Sequence, residues 1–453
     1  MLLTIAAFAV ALGVLIAVHE YGHYRVAVAC GVKVLRFSIG FGRPLLRWQP
    51  KGSPTEFVIG AFPLGGYVRM LDEREAPVAP EERHLAFNTR PLRARAAIVA
   101  AGPLANLLLA VLLYAAVNWS GVDEPKAMLS SPVAGSIAQR AGVQGGEQVV
   151  SAAIGEDELE PVRSFEELRW VLTRGALDAE NVRLLLQPVR GAQREVVLPL
   201  AGMQVREADA QLFRTIGIVG PWTRPVLGEV MAGGAAERAG LHPGDLVVRL
   251  GGTDVVDGAQ LRDLIRGSVR DGKPLAQVWR VDREGRLLDV TVTPQLAADA
   301  TGPVGRIGAY VGNPPEMVNV RYGPVEGLWK GVERTWEVSV LTLRMMGRMV
   351  IGEASIKNLS GPLTIADYAG RSASMGLTQY LAFLALISVS LGVLNLLPLP
   401  VLDGGHLMYY LWEGLTGRSV SEAWMDRLQR TGVVVLLLMM SIALFNDLTR
   451  LFG

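Results

Sequence analysis

From Leu2 to Val18 the chain is almost wholly Ala, Leu, Val, Ile, Phe and Gly, and this run leads without a break into His19-Glu20-Tyr21-Gly22-His23. A stretch that long and that apolar reads as a helix crossing a bilayer. A Glu and two His at membrane depth are expensive there unless they have a task. Residues four apart on a helix share a face, so His19 and His23 can aim their imidazoles at one cation. Glu20 lies about 100° round and can reach a water on the metal without being a ligand. Zinc lowers the pKa of a bound water to about 7, and a carboxylate beside it takes the proton. The plainer alternative is two structural His at a helix end. Hydrolysis needs water and the bilayer core excludes it, so the motif and its setting are in tension.

A catalytic zinc usually has three protein ligands and one open position. The best third ligand is Asp403, in Leu402-Asp403-Gly404-Gly405-His406. It follows an apolar span that ends in the breakers Pro398 and Pro400. A carboxylate past a broken helix, with two glycines behind it, can turn back towards a neighbouring helix. An ordinary turn Asp is the alternative, and His406 is a weaker rival ligand. One zinc ion per chain is expected.

Half of the 453 residues are hydrophobic, and the mean hydropathy is positive. Such a composition fits a membrane protein with a sizeable water-soluble portion. The formal net charge of +1 makes no case for nucleic acid. Cys30 is the single cysteine, which excludes an internal disulfide framework. Four spans stand out, at about 2–24, 96–117, 377–397 and 433–445, the last short but extendable. The first is not a cleavable signal peptide, because it lacks a basic leading region and itself carries the motif. The 25–95 loop is rich in Arg and Lys, so the positive-inside rule puts it in the cytoplasm. The N-terminus and the long 120–375 segment are then outside. His19 lies about 27 Å along a helix entering from outside, and Asp403 follows a span returning inward, so both reach the cytoplasmic side.

Between Val34 and Met70 the texture changes to apolar hairpins with glycine turns, including Phe62-Pro63-Leu64-Gly65-Gly66-Tyr67. One use is a small sheet on the membrane surface. The other is a re-entrant β-hairpin that presents a free strand edge near the metal, where an extended peptide can pair. Asn395, in Asn395-Leu396-Leu397-Pro398, either bonds substrate backbone or a developing oxyanion, or satisfies carbonyls freed by Pro398. Asn106, after Gly102-Pro103 in the second span, reads as a helix-packing contact.

Residues 133–150 and 230–248 look alike. Each has a small-residue turn, a short helix ending in Ala-Gly, then Gly-Glu or Gly-Asp leading into a strand. The period of about a hundred residues marks duplicated domains rather than a solenoid. Each copy continues into a helix candidate (164–173; 258–266) and a closing strand (195–200; 287–293). The pair resembles tandem PDZ domains, which accept peptide C-terminal tails along a strand edge. The second copy keeps the pattern better, and a spacer role is the alternative for both. From about 325 to 371 the chain reads as an amphipathic helix plus linker, lying on the outer membrane surface or packed on the modules or the spans. Asn358-Leu359-Ser360-Gly361-Pro362 marks a break before the third span.

H-E-x-x-H in the first span, Leu402-Asp403-Gly404 after the third and two PDZ-like modules between them resemble the site-2 protease family of intramembrane zinc metalloproteases. Asn395-x-x-Pro398 and the Pro63 to Tyr67 run also look like that group. The resemblance covers essentially the whole chain. It implies His19, His23 and Asp403 as zinc ligands and Glu20 as catalytic base. It also implies Phe62, Leu64, Gly65, Gly66 and Tyr67 as a substrate-pairing edge, with Asn395 and Pro398 as substrate contacts. It implies cleavage of single-span membrane proteins already trimmed on their outer side, typically an anti-sigma factor, and of remnant signal peptides. The setting it implies is a bacterial inner membrane with the PDZ pair periplasmic. The expected fold is multi-domain, with a polytopic α-helical membrane domain of four spans and a re-entrant β-hairpin, plus tandem α+β PDZ-like domains. The expected segments are 1–119, 120–212, 213–310, 311–375 and 376–453. From the residues alone, two other classes stay open: a metal-binding membrane transporter or sensor, and a non-catalytic PDZ scaffold.

Overall fold

The structure, a computed structural model, describes residues 2–203, 210–299, 302–351 and 361–452. Asn358, Leu359 and Ser360, where a break is expected, lie outside the described residues, as does the side chain of Leu64. In chain order the helices are α1 (Leu2–Ala29), α2 (Leu92–Ser120), α3 (Ile137–Arg140), α4 (Phe165–Asp178), α5 (Ala210–Ile216) and α6 (Ala235–Arg238). They continue as α7 (Gly258–Arg266), α8 (Pro324–Val350), α9 (Pro362–Met375), α10 (Leu377–Asn395), α11 (Asp403–Thr416) and α12 (Glu422–Phe452). The chain divides into two units, Met1–Val122 with Arg321–Gly453, and Asp123–Val320.

Among the described residues of the first unit, four stretches are long and apolar enough to cross a membrane: Leu2–Ala29, Leu92–Ser120, Leu377–Asn395 and Ala423–Thr449. The second is the central strut. Its neighbour α1 crosses it at Gly22, where a Cβ would overlap the Ala101 carbonyl and lie 2.7 Å from the Ala105 Cβ. On the other side α10 crosses it at Gly392, where a Cβ would lie 3.0 Å from Leu107 and from the Pro103 carbonyl. Small residues at such crossings let helix backbones approach closely in a solvent that gives no hydrophobic drive. Ser388 of α10 donates a buried 2.7 Å hydrogen bond to the backbone carbonyl of Asn106.

Two long antiparallel strands, β1 (Val34–Trp48) and β2 (Glu56–Met70), follow α1. Both bend, so residues 36–39 pair with 56–59 on one side and with 66–69 on the other. Residues 44–48 then pair with the outer side of 57–60. The 66–70 segment is therefore an outer edge, and it lies against α1.

Of the alternatives open for the amphipathic segment, α8 takes the packed one, against α2. Gly327 and Gly331, four apart, make a smooth stripe: a Cβ on Gly331 would lie 2.7 Å from the Val111 carbonyl. Asn118 Nδ2 donates to the Gly327 carbonyl at 2.9 Å, while Trp329 and Trp336 stay exposed. The expected linker contains a further helix, α9. Its N-terminus is held by Asp447 of α12, a fully buried carboxylate. Asp447 accepts from the backbone of Gly361 and Leu363 at 2.9 Å and from the Thr364 hydroxyl at 2.5 Å. The orphan donors of a helix start are thereby satisfied in apolar surroundings.

The second unit holds the two similar modules. Each has a four-stranded antiparallel sheet of the same order: Glu160–Pro161, Gln148–Ile154, Val182–Gln187, Arg194–Leu198 in one, and Thr253–Asp254, Leu246–Leu250, Gln277–Arg283, Arg286–Val292 in the other. Equivalent helices, α4 and α7, are N-capped by buried Ser164 and Asp257. The likeness extends to single side chains. Glu147 accepts from the backbone of Gln144 and pairs with Arg194, which also reaches the Gly142 carbonyl. Asp245 accepts from the backbone of His242 and pairs with Arg283, which reaches the Gly240 carbonyl. The first core includes Leu212, Phe213, Ile216 and Ile218, so that module runs past residue 212. Met317–Val320, in the stretch assigned to the linker, pairs with Val122–Pro125. A four-residue strand after Pro314-Pro315 leaves no alternation to read in the sequence.

Burial alone would raise the Asp245 carboxyl, but the bidentate Arg283 guanidinium overrides it and holds the group below its usual value. A depressed carboxyl stabilises the fold above its unfolded pKa, and that contribution is lost as pH falls through the folded one, below about pH 4. Asp245→Asn should lower the stability of the 223–320 module by roughly 2–3 kcal/mol at neutral pH and flatten its acid sensitivity. Hydrogen exchange of that segment in the full chain, followed against pH, checks both.

Candidate metal centre

His19 and His23 lie one helical turn apart on α1, and Asp403 is the first residue of α11. Their donor atoms converge. His19 Nε2 is 3.1 Å from His23 Nε2 and 3.2 Å from Asp403 Oδ2, and His23 Nε2 is 3.6 Å from the same oxygen. Among the described residues these three form the group of His, Cys, Asp and Glu side chains placed to hold a metal ion. Asp403 gets there because the 396–402 loop folds back over the start of α11. A Cβ on Gly404 would overlap the Leu397 carbonyl, and one on Gly405 the Leu399 carbonyl. The two glycines thus permit the turn that the carboxylate needs.

The imidazoles are aimed by α2. His23 Nδ1 donates to the Ile98 carbonyl at 2.8 Å in a buried bond. That bond fixes the tautomer and leaves Nε2 with a free lone pair directed at the cluster, the arrangement by which an outer partner orients a ligating His. Gly102 makes room for it, since a Cβ there would overlap the His23 ring. Beside His19, Asn106 is 1% exposed, with its side-chain nitrogen 3.4 Å from His19 Nδ1. Two nitrogens and one carboxylate oxygen, converging in a mostly buried setting, suit a three-ligand zinc site with an open position. The donor set therefore fits zinc.

Glu20 stays outside the triad but within electrostatic reach of all three members. The β2 edge passes beside it: a Cβ on Gly66 would lie 2.8 Å from Glu20 Cγ. Tyr67 stacks on Phe41 with ring centroids 6.0 Å apart, Phe62 is exposed, and Gly65 has φ +100°, which favours glycine. Asn395 ends α10 half-buried, and Pro398 is exposed in the loop. No described contact joins either to the triad. His406 also stays out of the cluster and meets Tyr409 edge-on at 5.9 Å. Asn106, expected as a helix-packing contact, makes that contact with His19 of α1. Neither Gly102 nor the Ile98 carbonyl is given a role by the sequence alone. The one available signal was a polar residue, Asn106, inside an apolar span.

Gly102→Ala should push the His23 ring out of line and weaken zinc affinity by about 10–100-fold, the cost typical of a lost outer-shell partner. Gly13→Ala on α1, where a Cβ would meet nothing within 4 Å, should leave it unchanged. Zinc retained by purified chain against a competing chelator measures the difference.

A family model described as Peptidase family M50 matches residues 7–439. The chain is 42% identical to a putative zinc metalloprotease of Ralstonia nicotianae, over 100% of this chain and 99% of that protein. It is 40% identical to the regulator of sigma-E protease RseP of Escherichia coli K12 and to the regulator of sigma E protease of Salmonella typhi, in each case over 99% of this chain and 98% of the relative. With relatives matched end to end and a donor set that suits their metal, this chain belongs to peptidase family M50 and is a zinc metalloprotease.

Proposed function

We propose that the chain cuts single-span membrane proteins inside the bilayer, as a step of regulated intramembrane proteolysis. The observation that carries this is the His19, His23 and Asp403 cluster, with Glu20 beside it, built on a helix apolar enough to cross a membrane. His19, His23 and Asp403 would hold the zinc. When bound, zinc supplies an activated water and polarises the scissile carbonyl. Glu20 takes one proton as the water oxygen bonds to the carbonyl carbon, and returns it to the leaving nitrogen as the C–N bond breaks. The outer edge of β2, from Gly65 to Met70, would pair with a substrate segment unwound from its helix, since a helical substrate hides its amides. The hairpin is then a re-entrant element, with non-helical backbone tolerated because it lies against protein. Phe62, Leu64 and Tyr67 would line the substrate's path, and Asn395 and Pro398 would contact it from the loop before Asp403.

The relatives named as regulators of sigma E protease favour an anti-sigma-factor-like substrate. Arg and Lys crowd the 25–95 loop, which favours a bacterial inner membrane with that loop and the metal on the cytoplasmic side and the two modules periplasmic. The two modules share one strand order and an N-capped helix, which supports reading both as copies of one PDZ-like domain. They would act as a size filter that admits substrates lacking a bulky outer domain, with or without a bound peptide tail.

In a detergent assay with a candidate single-span substrate, Glu20→Gln should lower cleavage by about 10²–10⁴-fold while zinc stays bound. A chelator should abolish cleavage by the native chain. Undiminished cleavage by the Gln variant would sink the reading. Removing Asp123–Val320 should let the enzyme cut a substrate that still carries its outer domain; continued refusal of that substrate would count against the filter.

A further inference from the structure

Asn106 sits on α2, eight residues past the carbonyl that orients His23. It is 1% exposed. Its amide nitrogen is 3.4 Å from His19 Nδ1, and its amide oxygen is buried with no hydrogen-bond partner among the described residues. Its backbone is pinned from the far side by Ser388 of α10. A fully buried amide held at hydrogen-bond range from one ring nitrogen is more than a packing contact.

Chemistry decides which end of the amide belongs on His19. His19 Nε2 points at His23 Nε2 and Asp403 Oδ2, so it must be the unprotonated nitrogen when it ligates, and Nδ1 then carries the hydrogen. A hydrogen on Nδ1 needs an acceptor. The amide oxygen of Asn106 is that acceptor after a half-turn about Cβ–Cγ, which exchanges two atoms of nearly equal size. We propose that Asn106 is a positioning residue of the zinc site: its side-chain oxygen accepts the Nδ1 proton of His19, selecting the tautomer and ring angle that direct Nε2 to the metal. One helix would then orient both imidazoles, through the Ile98 backbone carbonyl for His23 and through the Asn106 side chain for His19. The proposal rests on the reading of His19, His23 and Asp403 as zinc ligands.

The test uses the full chain purified in detergent, with zinc affinity measured by chelator competition. Asn106→Leu keeps the volume and removes the acceptor. Asn106→Asp keeps an oxygen acceptor in the same place. A positioning role predicts that Leu weakens zinc binding by about 10–100-fold, while Asp holds it within about threefold of native. A packing role predicts the reverse order, because Leu suits an apolar span and a buried carboxylate does not. Native affinity in Asn106→Leu overturns the proposal. So does an equal loss in both variants when each is monodisperse. His19→Ala is the separate arm: if it keeps native zinc affinity, the ligand assignment itself fails, whereas native affinity in Asn106→Leu alongside a zinc-free His19→Ala removes only the role of Asn106.

Discussion

The site depends on the close approach of α1 and α2. With Gly22 against the Ala101 carbonyl, nothing larger than hydrogen separates the two backbones there. That distance lets His23 reach the Ile98 carbonyl and lets its ring occupy the space over Gly102. In lipid, helices associate through packing and shared polar contacts rather than through expulsion of water. Here the packing contact and the ligand-orienting contact are the same few residues. A methyl group at either glycine would disturb both together.

Several polar groups in this unit are placed where a neighbour satisfies them. His23 gives its proton to a carbonyl, Ser388 to the backbone of Asn106, and Asp447 collects the free donors at the start of α9. Each arrangement avoids the cost of an unpaired polar group in an apolar medium. The metal centre extends the same logic. His19, His23 and Asp403 face one another in an arrangement that suits a shared cation, and Glu20 lies within electrostatic reach of all three.

Much of this was legible in the sequence, for identifiable reasons. The i, i+4 histidines announce themselves because helical spacing is fixed, and Asp403 because glycines follow a broken span. The four long apolar runs need only length and composition. The duplicated modules show through their Ala-Gly and Gly-acid turns. What escaped depends on contacts between distant segments. Gly102 is one glycine among many until the His23 ring is seen above it. Asn106 looks like a packing residue until α1 is placed beside α2. The face taken by α8 follows from Gly327 and Gly331 meeting α2, although its charged and aromatic residues also suit a membrane surface. Met317–Val320 is too short to carry a pattern, and its partner strand lies almost two hundred residues earlier.

The donors come from segments far apart in sequence, and this bears on how the enzyme is made. A nascent chain that has delivered α1 and α2 to the membrane owns a matched pair of imidazoles and no carboxylate to complete them. On the proposed ligand set, hydrolytic competence would arrive only when translation has passed the modules and α10, and the 396–402 loop has folded back. The order of the elements along the chain would then set when the site is complete.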